Sequence, residues 1–386
     1  MMVLNPSRVL FRGLYAIFGI CWIPTALFAF DATNLLEILF FVVSAILLYQ
    51  GFRGEIFLIN AWLIFLYVLI CGVYAMTISG TNIMDFMLAN KCFWYLFFLM
   101  GYARKAIFKK EDIQRLNSFI LIFFFIIYFL KRMVFKIDRP MVLIENNFEM
   151  IFVSLLFYAS YLASGKINLR EMIIYAALVW LSGSRSAAVV AVVVLLFSFK
   201  INRSGLRNLL VFGGVLVGGT IAALIFVNRD SGGIEDIDRY KFFEQFIAAT
   251  RGWGIGEFML GAPRMTALPP AVCSSLSYYQ HLFSYRGDGS CYSVIFHSFD
   301  LRAVFDHGII GLAYMLYCVW IVLSWRSMKE KLCILTIIFM TGLSVSSLNN
   351  VYLAISVAIL SSMKGAGHVP KEAMEISSVE ERMKLI

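Results

Sequence analysis

The segment HSFDLRAVFDHGIIG, residues 297–311, concentrates ionisable side chains immediately before an apolar run. A helix that begins near His297 would place Asp300 beside the imidazole, because residues three apart share one face of a helix. A carboxylate in that position can orient the ring and support proton transfer by the imidazole. The spacing therefore indicates a candidate general base, although a histidine at the start of a helix is also typical of a structural role.

The distribution of histidines does not indicate a metal site. The chain has four of them, and none is spaced as HxxxH or HExxH. Those spacings put two imidazoles on one helix face, where they can share a zinc ion. We therefore expect no metal at His297, and we interpret His307, which lies deeper in the apolar run, as a structural residue.

The segment LSGSRSAAVV, residues 181–190, puts Arg185 between two apolar runs with small residues on both sides. Small neighbours leave the guanidinium accessible to a ligand. That group keeps its charge and binds phosphate through a planar pair of N–H donors. The segment therefore indicates an anion-binding arginine, and the alternative is an arginine that only caps a short turn.

A second arginine, Arg239, begins the segment RYKFFEQFIAAT, residues 239–250. The helical periodicity of this segment predicts an amphipathic helix of the membrane-surface type. A cation at its start would lie at the level of a lipid-linked phosphate. Acidic residues immediately before it leave open the alternative that Arg239 only forms salt bridges within its loop. The face predicted to meet the membrane consists of Tyr240, Phe243, Ile247 and Thr250.

The elements that position these residues are predicted to lie in a membrane. Hydrophobic residues make up 61% of the 386 residues and charged residues only 15%, whereas soluble domains carry about 25% charged residues. The mean hydropathy is +0.81. Long apolar runs fit membrane-spanning helices, whereas barrel strands would alternate over segments of roughly 10 residues. The sequence therefore predicts an all-α polytopic integral membrane protein with about twelve transmembrane helices.

The transmembrane helices are predicted in two groups on either side of one long polar loop. Residues 1–227 would hold roughly nine of them and residues 302–363 the rest. Residues 228–301 form the loop, with short amphipathic helices, and residues 364–386 form a polar tail. The two runs around SGSR, residues 182–185, are also open to interpretation as one kinked or re-entrant pair. The predicted spans lie near residues 14–30, 35–50, 56–75, 90–103, 116–130, 149–164, 171–182, 186–199, 209–227, 302–325, 332–347 and 350–363.

The positive charges predict the orientation of the chain. The net charge is +9, and lysine and arginine concentrate in the short loops that share a side with both termini. The positive-inside rule puts that side in the cytoplasm and residues 228–301 outside, in the periplasm of a Gram-negative cell. The basic cluster at residues 131–139 goes against the rule. We attribute the net charge to this bias and expect no nucleic-acid partner.

Two of the seven cysteines, Cys273 and Cys291, lie in the predicted outer loop. An oxidising compartment would allow them to form a disulfide, and two unpaired thiols are the alternative. The other cysteines lie in apolar segments, where we expect them to be chemically inert.

The motif at the opening histidine resembles the signature of the O-antigen ligase and Wzy-type polysaccharide polymerase superfamily. His297 and Ser298, nine residues, and then Gly308-Ile-Ile-Gly311 match its pattern H-[NSQ]-x9-G-x-x-G. We interpret Gly308 and Gly311 as close-packing positions that allow another helix to approach.

Two further segments are similar to the same superfamily, so that the resemblance covers mainly residues 180–325. SGSRSA looks like its small-residue motif with an accessible arginine, and RYKFF followed by RGWGIGEF looks like the start of its long outer loop. The ligase pattern continues from the loop arginine as R-x3-L, whereas here Phe243 follows Arg239 at that spacing. The carry-over to Arg239 is correspondingly weaker than the carry-over to Arg185 or His297.

The resemblance implies an inverting glycosyltransferase in the bacterial inner membrane, with a periplasmic active site and both termini in the cytoplasm. The implied donor is a glycan linked to undecaprenyl pyrophosphate, and the implied acceptor is a lipid-linked repeat unit or lipid A-core. Neither a metal nor another cofactor is expected. Membrane lipids, a chain-length regulator and a flippase are the further partners that the resemblance implies.

The resemblance assigns catalysis to Arg185, Arg239 and His297. Departure of a pyrophosphate builds negative charge, which two arginines can neutralise in place of a metal. His297 would accept the proton of the poorly nucleophilic acceptor hydroxyl. Asp300 and Arg302, close to His297 in sequence, are expected to contact the substrate.

The segment RPMVLIENNFEM, residues 139–150, favours a polymerase, which joins one lipid-linked chain to another repeat unit. Glu145 and Asn146 in this segment suit the binding of a sugar acceptor. The alternative is an O-antigen ligase, which transfers the chain to lipid A-core. Two classes outside the superfamily stay open: a lipid-linked sugar transporter or flippase, which would carry paired broken helices with midplane charges, and a non-catalytic scaffold.

Overall fold

Helices are the main secondary structure in the part of the chain that the structure describes. Within that part it contains no strand, and one isolated bridge joins Phe108 to Met363. The predicted all-α class is therefore confirmed for these residues. The computed structural model describes residues 5–20, 22–23, 32–143, 145–198 and 238–363, except the side chains of Asp238 and Arg239.

The helices fall into two groups, before and after the gap at residues 199–237. The first group is α1 (Pro6–Ile20), α2 (Thr33–Tyr49), α3 (Glu55–Thr77), α4 (Ile83–Ala89), α5 (Lys91–Met100), α6 (Lys110–Phe129) with the π-helical turn Leu130–Val134, α7 (Asn146–Ser164), α8 (Leu169–Ser182) and α9 (Arg185–Ser198). The second group is α10 (Asp238–Ala249), α11 (Ile255–Leu260), α12 (Pro270–Ser275), α13 (Phe299–Val322), α14 (Met328–Gly342) and α15 (Val351–Ser362), with 3-10 turns at Ser277–Leu282, Ser293–Ile295 and Ser347–Asn349.

Several of these helices suit a membrane. Among the described residues, α3, α6 with its π-helical turn, α7 and α13 make four helices long and apolar enough to cross one, and the α4–α5 pair, bent by 57°, would make a fifth. α2, α9 and α15 are apolar but shorter. The 14 residues of α9 rise only about 21 Å, against a hydrocarbon thickness of ~30 Å. The membrane class is supported, whereas the expected count of about twelve spans is not confirmed.

Most predicted spans coincide with observed helices, and the exceptions have simple causes. The pair predicted around SGSR corresponds to α8 and α9, which are separate helices. The span predicted near 90–103 corresponds to α5, which ends at Met100 and is bent by 57° relative to α4 at Asn90. The span predicted near 209–227 and part of the one near 14–30 lie outside the described residues.

α15 is the centre of the bundle. All of its residues are buried, and it packs against α2, α5 and α7. Its hydroxyl groups need partners in such apolar surroundings, and Ser356 and Ser361 donate to the carbonyls of Tyr352 and Ala358 at 2.8 and 3.0 Å. Asn350 caps the first turn by accepting from the Tyr352 N–H at 2.8 Å. α15 therefore forms a buried rod that connects the two ends of the bundle.

The first end, which we call the loop end, is where the described loop, residues 238–298, meets the helices. Ser79 Oγ, after α3, donates to the carbonyl of Arg264 at 3.1 Å. Ser298 Oγ, before α13, donates to the carbonyl of Gly342 at 3.0 Å. These bonds tie the loop and the start of α13 to the C-terminal ends of α3 and α14.

The second end, which we call the opposite end, is closed by contacts among chain segments far from the loop. Lys105 Nζ donates to the carbonyl of Leu47 at 2.6 Å, and the Ile107 N–H donates to the carbonyl of Ser362 at 2.9 Å. Burial and, to a smaller extent, the nearby charge of Arg53 together lower the pKa of Lys105 to about 8. At this end, the buried cation therefore donates to a backbone carbonyl.

The loop has a small apolar core of its own, and the Cys273–Cys291 disulfide lies within it. The predicted amphipathic helix is present as α10, and its two faces differ in exposure. The face predicted for the membrane is exposed at Tyr240, Phe243 and Ile247 but not at Thr250, which is buried. The loop core consists of Phe305 of α13 and the loop residues Phe242, Phe246, Ala262, Leu268, Val272, Cys273, Leu276, Cys291, Ile295 and Phe296.

Candidate functional site

His297 lies at the junction between the loop and α13. Ser298, the next residue, caps α13 by accepting from the Leu301 N–H at 3.5 Å. The imidazole is half-buried, and the loop covers it from two sides. Its centroid lies 4.9 Å from the Tyr279 ring, edge to face, and 5.5 Å from the Phe242 ring. The loop thus forms an aromatic wall around the candidate base.

Arg239 lies on the helix that contacts His297. Its backbone is in the first turn of α10, three residues before Phe242. Its side chain lies outside the described residues. One helical turn separates Arg239 from the ring that touches the imidazole, and the two candidates therefore belong to one region.

Asp300 does not occupy the position that the spacing predicts. α13 begins at Phe299, so His297 precedes the helix and the three-residue helical spacing does not apply to the pair. The Asp300 carboxylate packs against α14, where a Cβ at Gly342 would collide with it. Its Oδ2 accepts no hydrogen bond among the described residues. Asp300 is therefore a buried acid directed at the neighbouring helix.

Arg302 is engaged by partners inside the protein. Only 3% of the residue's surface is exposed, and Nη2 donates to the carbonyls of Leu88, at 3.1 Å, and Ala89. Those carbonyls end α4 where the chain bends into α5, and a cation is favoured at a helix C-terminus. Nε lies 3.9 Å from Asp306 Oδ2. These contacts give Arg302 a role in the fold, whereas the sequence predicted contact with substrate.

α13 is broken at Gly308, which the sequence pattern did not reveal. Gly308 has φ +69° and ψ 179°, outside the helical region. A Cβ at this position would collide with the backbone of Met259 in α11, so the break is where α11 packs. The interpretation of Gly308 as a close-packing position is confirmed. At Gly311 the close neighbour is the Cβ of His307 in the same helix, so the expectation that another helix approaches there is not supported.

The residues beside this break form a buried polar cluster. His307 Nδ1 lies 2.7 Å from the hydroxyl of Tyr67. Asp306 accepts from Ser293 Oγ through its carboxylate and from Arg264 through its carbonyl. The Arg264 guanidinium also lies over the Tyr67 ring, 5.5 Å from its centroid. The loop is thus bonded to α13 at the helix break, where backbone groups lack helical partners. The sequence alone did not indicate that Arg264 makes this contact.

The Arg185 turn, residues 182–186, is held by the first turn of α7. Gly183, at φ 59°, ends α8, and Arg185 begins α9 with only 7% of its surface exposed. Ser184 Oγ donates to Asn147 Oδ1 at 2.8 Å, and Ser186 Oγ lies 3.2 Å from the same atom. Asn146 Nδ2 donates to the Ser182 carbonyl at 3.1 Å and to the carbonyl of Pro140. Asn146, predicted to bind substrate, therefore also orders the turn that carries Arg185.

Two cations of the cluster at residues 131–139 bind backbone carbonyls. Arg132 Nη1 donates to the carbonyl of Leu181 at 2.8 Å, and its guanidinium lies over the Trp180 ring, 5.7 Å from the centroid. Lys131 Nζ donates to the carbonyl of Met141 at 2.6 Å. Arg132 thus caps α8 directly before the Arg185 turn, which gives this part of the cluster a structural use.

Glu145 and Glu149 differ sharply in their surroundings. Glu145 immediately precedes α7, and burial raises the pKa of its carboxyl group while the charge of Arg139 opposes that shift. Glu149, which the sequence analysis did not single out, is fully buried and accepts from the Val142 and Leu143 N–H groups and the Tyr128 hydroxyl. Its position as the one charged residue of the apolar run FEMIF could have indicated a buried glutamate with a specific role. Glu149 anchors the segment before α7.

The Arg185 turn and His297 lie at the same end of the bundle. The Phe152 ring, in the first half of α7, lies 6.2 Å from the Tyr352 ring at the start of α15. Just before α15, Asn349 Nδ2 donates to the Leu88 carbonyl at 3.1 Å, the same carbonyl that Arg302 contacts. The starts of α7, α13 and α15 therefore meet at the loop end. Within the described residues, no group of three or more His, Cys, Asp or Glu side chains could hold a metal ion.

Comparison with known proteins found no matching family model, no similar curated protein and no similar solved structure. The resemblance therefore depends on the residues quoted for it.

Proposed function

We propose that the chain is a membrane glycosyltransferase that polymerises undecaprenyl-pyrophosphate-linked repeat units into O-antigen, capsular or exopolysaccharide. The observation that carries this proposal is the contact between His297 and Phe242 of α10. It brings the candidate base beside the helix on which Arg239 lies. The Arg185 turn at the same end of the bundle adds the third residue that the resemblance assigns.

The arginines suit a pyrophosphate leaving group. Arg185 is the first residue of α9, and the N-terminus of a helix favours an anion. A pyrophosphate bound there would be stabilised by the helix and by the planar N–H donors of the guanidinium. As the glycosyl–pyrophosphate bond breaks, its electron pair and the growing charge stay on the phosphate oxygen. Arg185 and Arg239 would neutralise that charge without a metal.

His297 suits the acceptor side of the same reaction. Its half-buried ring keeps some access to solvent, and the aromatic wall of Tyr279 and Phe242 limits its movement. The imidazole would take the proton of the acceptor hydroxyl while that oxygen attacks the anomeric carbon. Attack on the face opposite the leaving pyrophosphate inverts the anomeric configuration.

The proposed location is the outer face of the bacterial inner membrane, with about twelve spans and cytoplasmic termini. The Cys273–Cys291 disulfide supports it, because such bonds persist in oxidising compartments such as the periplasm. Two basic residues at the opposite end, Lys105 and Arg326, support the same orientation, because cytoplasmic loops carry an excess of positive charge. A polymerase is preferred to a ligase because Asn146 and Asn147, in the polymerase-like segment, bond to the Arg185 turn.

A transfer assay with the purified chain in nanodiscs tests the chemistry. His297→Ala should lower the turnover of a lipid-linked donor by about 10²- to 10⁴-fold, the usual contribution of a general base. His297→Gln, which keeps a polar side chain, should be equally impaired. Full transfer by a correctly folded His297→Ala variant would exclude the general-base role.

A gene deletion scored on a lipopolysaccharide gel tests polymerase against ligase. A single repeat unit on the core would identify the missing activity as a polymerase. Absence of O-antigen from the core, with lipid-linked polymer accumulating, would identify a ligase. Loss of secreted or capsular polymer alone would indicate an exopolysaccharide polymerase.

A further inference from the structure

The segment at residues 277–289 carries two exposed tyrosine rings, and one of them contacts a ring that lies against His297. Tyr278 is 88% exposed, and Tyr285 is exposed as well. The Tyr278 ring meets Tyr279 edge to face at 5.2 Å, and Tyr279 is the ring that lies against the imidazole. The Tyr278 ring therefore extends the aromatic wall of the candidate site outward, and Tyr285 is a second exposed ring in the same segment.

A disulfide and two hydrogen bonds fix this segment to the rest of the protein, so its rings are exposed on an ordered surface. The Cys273–Cys291 disulfide closes the segment at its base. Asp85, buried in α4, accepts from Ser284 Oγ at 2.7 Å and from the Tyr285 N–H at 3.1 Å. A surface that is ordered before binding loses less conformational entropy when a ligand docks.

The groups around the rings are polar. Gln280, His281, Arg286 and Asp288 are exposed in the same segment, and Arg286 Nε lies 3.4 Å from Asp288 Oδ2. A sugar ring offers the matching pattern, because it carries an apolar C–H face and an edge of hydroxyl groups. Tyrosine combines an apolar ring with a polar tip and loses little entropy on binding.

A second exposed patch at the loop end has a different chemistry. Ile255 and Leu260 of α11 are exposed, as are Ile309 and Ile310 of α13 beside the break at Gly308. These side chains are aliphatic and continue the surface of a helix that is long and apolar enough to span a membrane. Lipid suits that patch, whereas the polar rim of the tyrosine segment suits a hydrated ligand.

We propose that Tyr278 and Tyr285 form a sugar-binding platform that holds the glycan beside His297. The C–H faces of one or two sugar units would stack on the rings, with the hydroxyl edges turned to the polar groups of the segment. These tyrosines bind and position the glycan and take no part in proton transfer. The platform rests on the proposed function, because it deepens the assignment of a glycan substrate to the same site.

Binding of free glycan to the full chain in nanodiscs tests the platform. The probe is the oligosaccharide pool released by mild acid from polyprenyl-linked glycans of the producing cell and tritiated at the reducing end. Tyr278→Ala should raise the Kd, measured by equilibrium dialysis, about tenfold. Tyr278→Phe keeps the ring face and should stay within about twofold of the natural chain.

Tyr49→Ala is the matched control, because Tyr49 is 90% exposed and ends α2, near Leu47 at the opposite end. It should leave the Kd unchanged. In the transfer assay Tyr278→Ala should raise KM for the glycan substrate and leave kcat within about twofold, as expected for loss of binding shared by ground and transition states.

The outcomes separate the platform from the proposed function. Unchanged binding by Tyr278→Ala, with transfer still lost in His297→Ala, would overturn the platform alone. Quenching of a fluorophore at Tyr278→Cys by spin-labelled lipid would overturn it too, since the ring would then face the bilayer. Glycan binding that depends on Tyr278, in a chain that transfers nothing, would support the platform and overturn the proposed function.

Discussion

Two buried arginines at the loop end lie at opposite ends of the helices beside them. Arg302 donates to the carbonyls of Leu88 and Ala89 at the C-terminal end of α4. Arg185 is instead the first residue of α9. A helix stabilises a cation at its C-terminus and an anion at its N-terminus, by about 0.3–1 kcal/mol and up to ~2 kcal/mol when partly buried. Arg302 therefore gains from its helix, whereas the position of Arg185 suits a bound anion.

Other cations of the bundle resemble Arg302, because they also donate to backbone carbonyls. Lys105 donates to the carbonyl of Leu47 and Arg326 to that of Met363 at the opposite end. Arg132 donates to the carbonyl of Leu181 at the end of α8. A buried cation bound to carbonyls is a component of the fold. Arg185 differs from these cations in its position at a helix N-terminus, and that difference is why we propose it as a ligand-binding group.

The largest effect is expected from removing Arg302. Arg302→Met would leave Asp306 and the carbonyls that end α4 buried without their cation. Loss of one partner from a buried ion pair lowers stability by about 3–5 kcal/mol. A thermal melt of the purified chain in detergent should show a large fall in midpoint. Arg286→Met, at an exposed arginine of the loop, should melt like the natural chain.

Arg302→Lys refines this result, because it keeps the charge and shortens the reach to the carbonyls. It should melt between the natural chain and Arg302→Met. A melt of Arg302→Met that matches the natural chain would show that the carbonyl contacts do not stabilise the bundle, and the contrast with Arg185 would lose its basis.

A slightly smaller effect, on activity instead of stability, is expected from Arg185. Arg185→Lys keeps the charge but loses the planar pair of donors, so transfer should fall about 10²-fold, or roughly 2.7 kcal/mol of transition-state stabilisation. The melting midpoint should change by less than that of Arg302→Met. The measurements are turnover of a lipid-linked donor and a thermal melt of the same preparation.

Two results would contradict the distinction between a structural Arg302 and a ligand-binding Arg185. If Arg185→Lys melted as low as Arg302→Met, Arg185 would be a structural cation like the others. If Arg185→Lys melted normally and transferred at the natural rate, a positive charge at this position would support transfer without the planar pair of N–H donors.

Much of the helical frame was readable from apolar runs, because burial in lipid or in a bundle core demands them. The predicted pairing of His297 with Asp300 required a helix that begins near His297, whereas α13 begins at Phe299. Ser298 was the better signal, because serine is a preferred N-cap residue. That small shift removes the predicted helical pairing of His297 with Asp300.

The partners of the site residues could not be read from the chain. The carbonyls that Arg302 contacts and the serines that Asn147 contacts come from distant helices, and a single sequence contains no signal for such contacts. The break at Gly308 was hidden for a different reason. A glycine in an apolar helix is compatible with close packing in a regular helix or with positive φ, and only the position of α11 decides between them.

The smallest effect on stability and transfer is expected from removing Arg132, which shares one feature with Arg302 and another with Arg185. It caps α8 as Arg302 caps α4, and the helix that it caps ends at the Arg185 turn. Arg132→Ala should destabilise the chain by about 1 kcal/mol, since the side chain is half-buried and its cation–π contact with Trp180 is partly solvated. Transfer should fall by a few-fold, because the turn would lose one of its supports while Asn146 and Asn147 still hold it.

Arg8→Ala, at an exposed arginine of α1, should change neither the melt nor the turnover. The informative comparison is between Arg132→Ala and Arg185→Lys in one preparation. A loss of transfer as large as that of Arg185→Lys, with only a small fall in melting midpoint, would mean that Arg132 contacts the anion itself. In that case the basic cluster at residues 131–139 belongs to the site, and capping α8 is its secondary role.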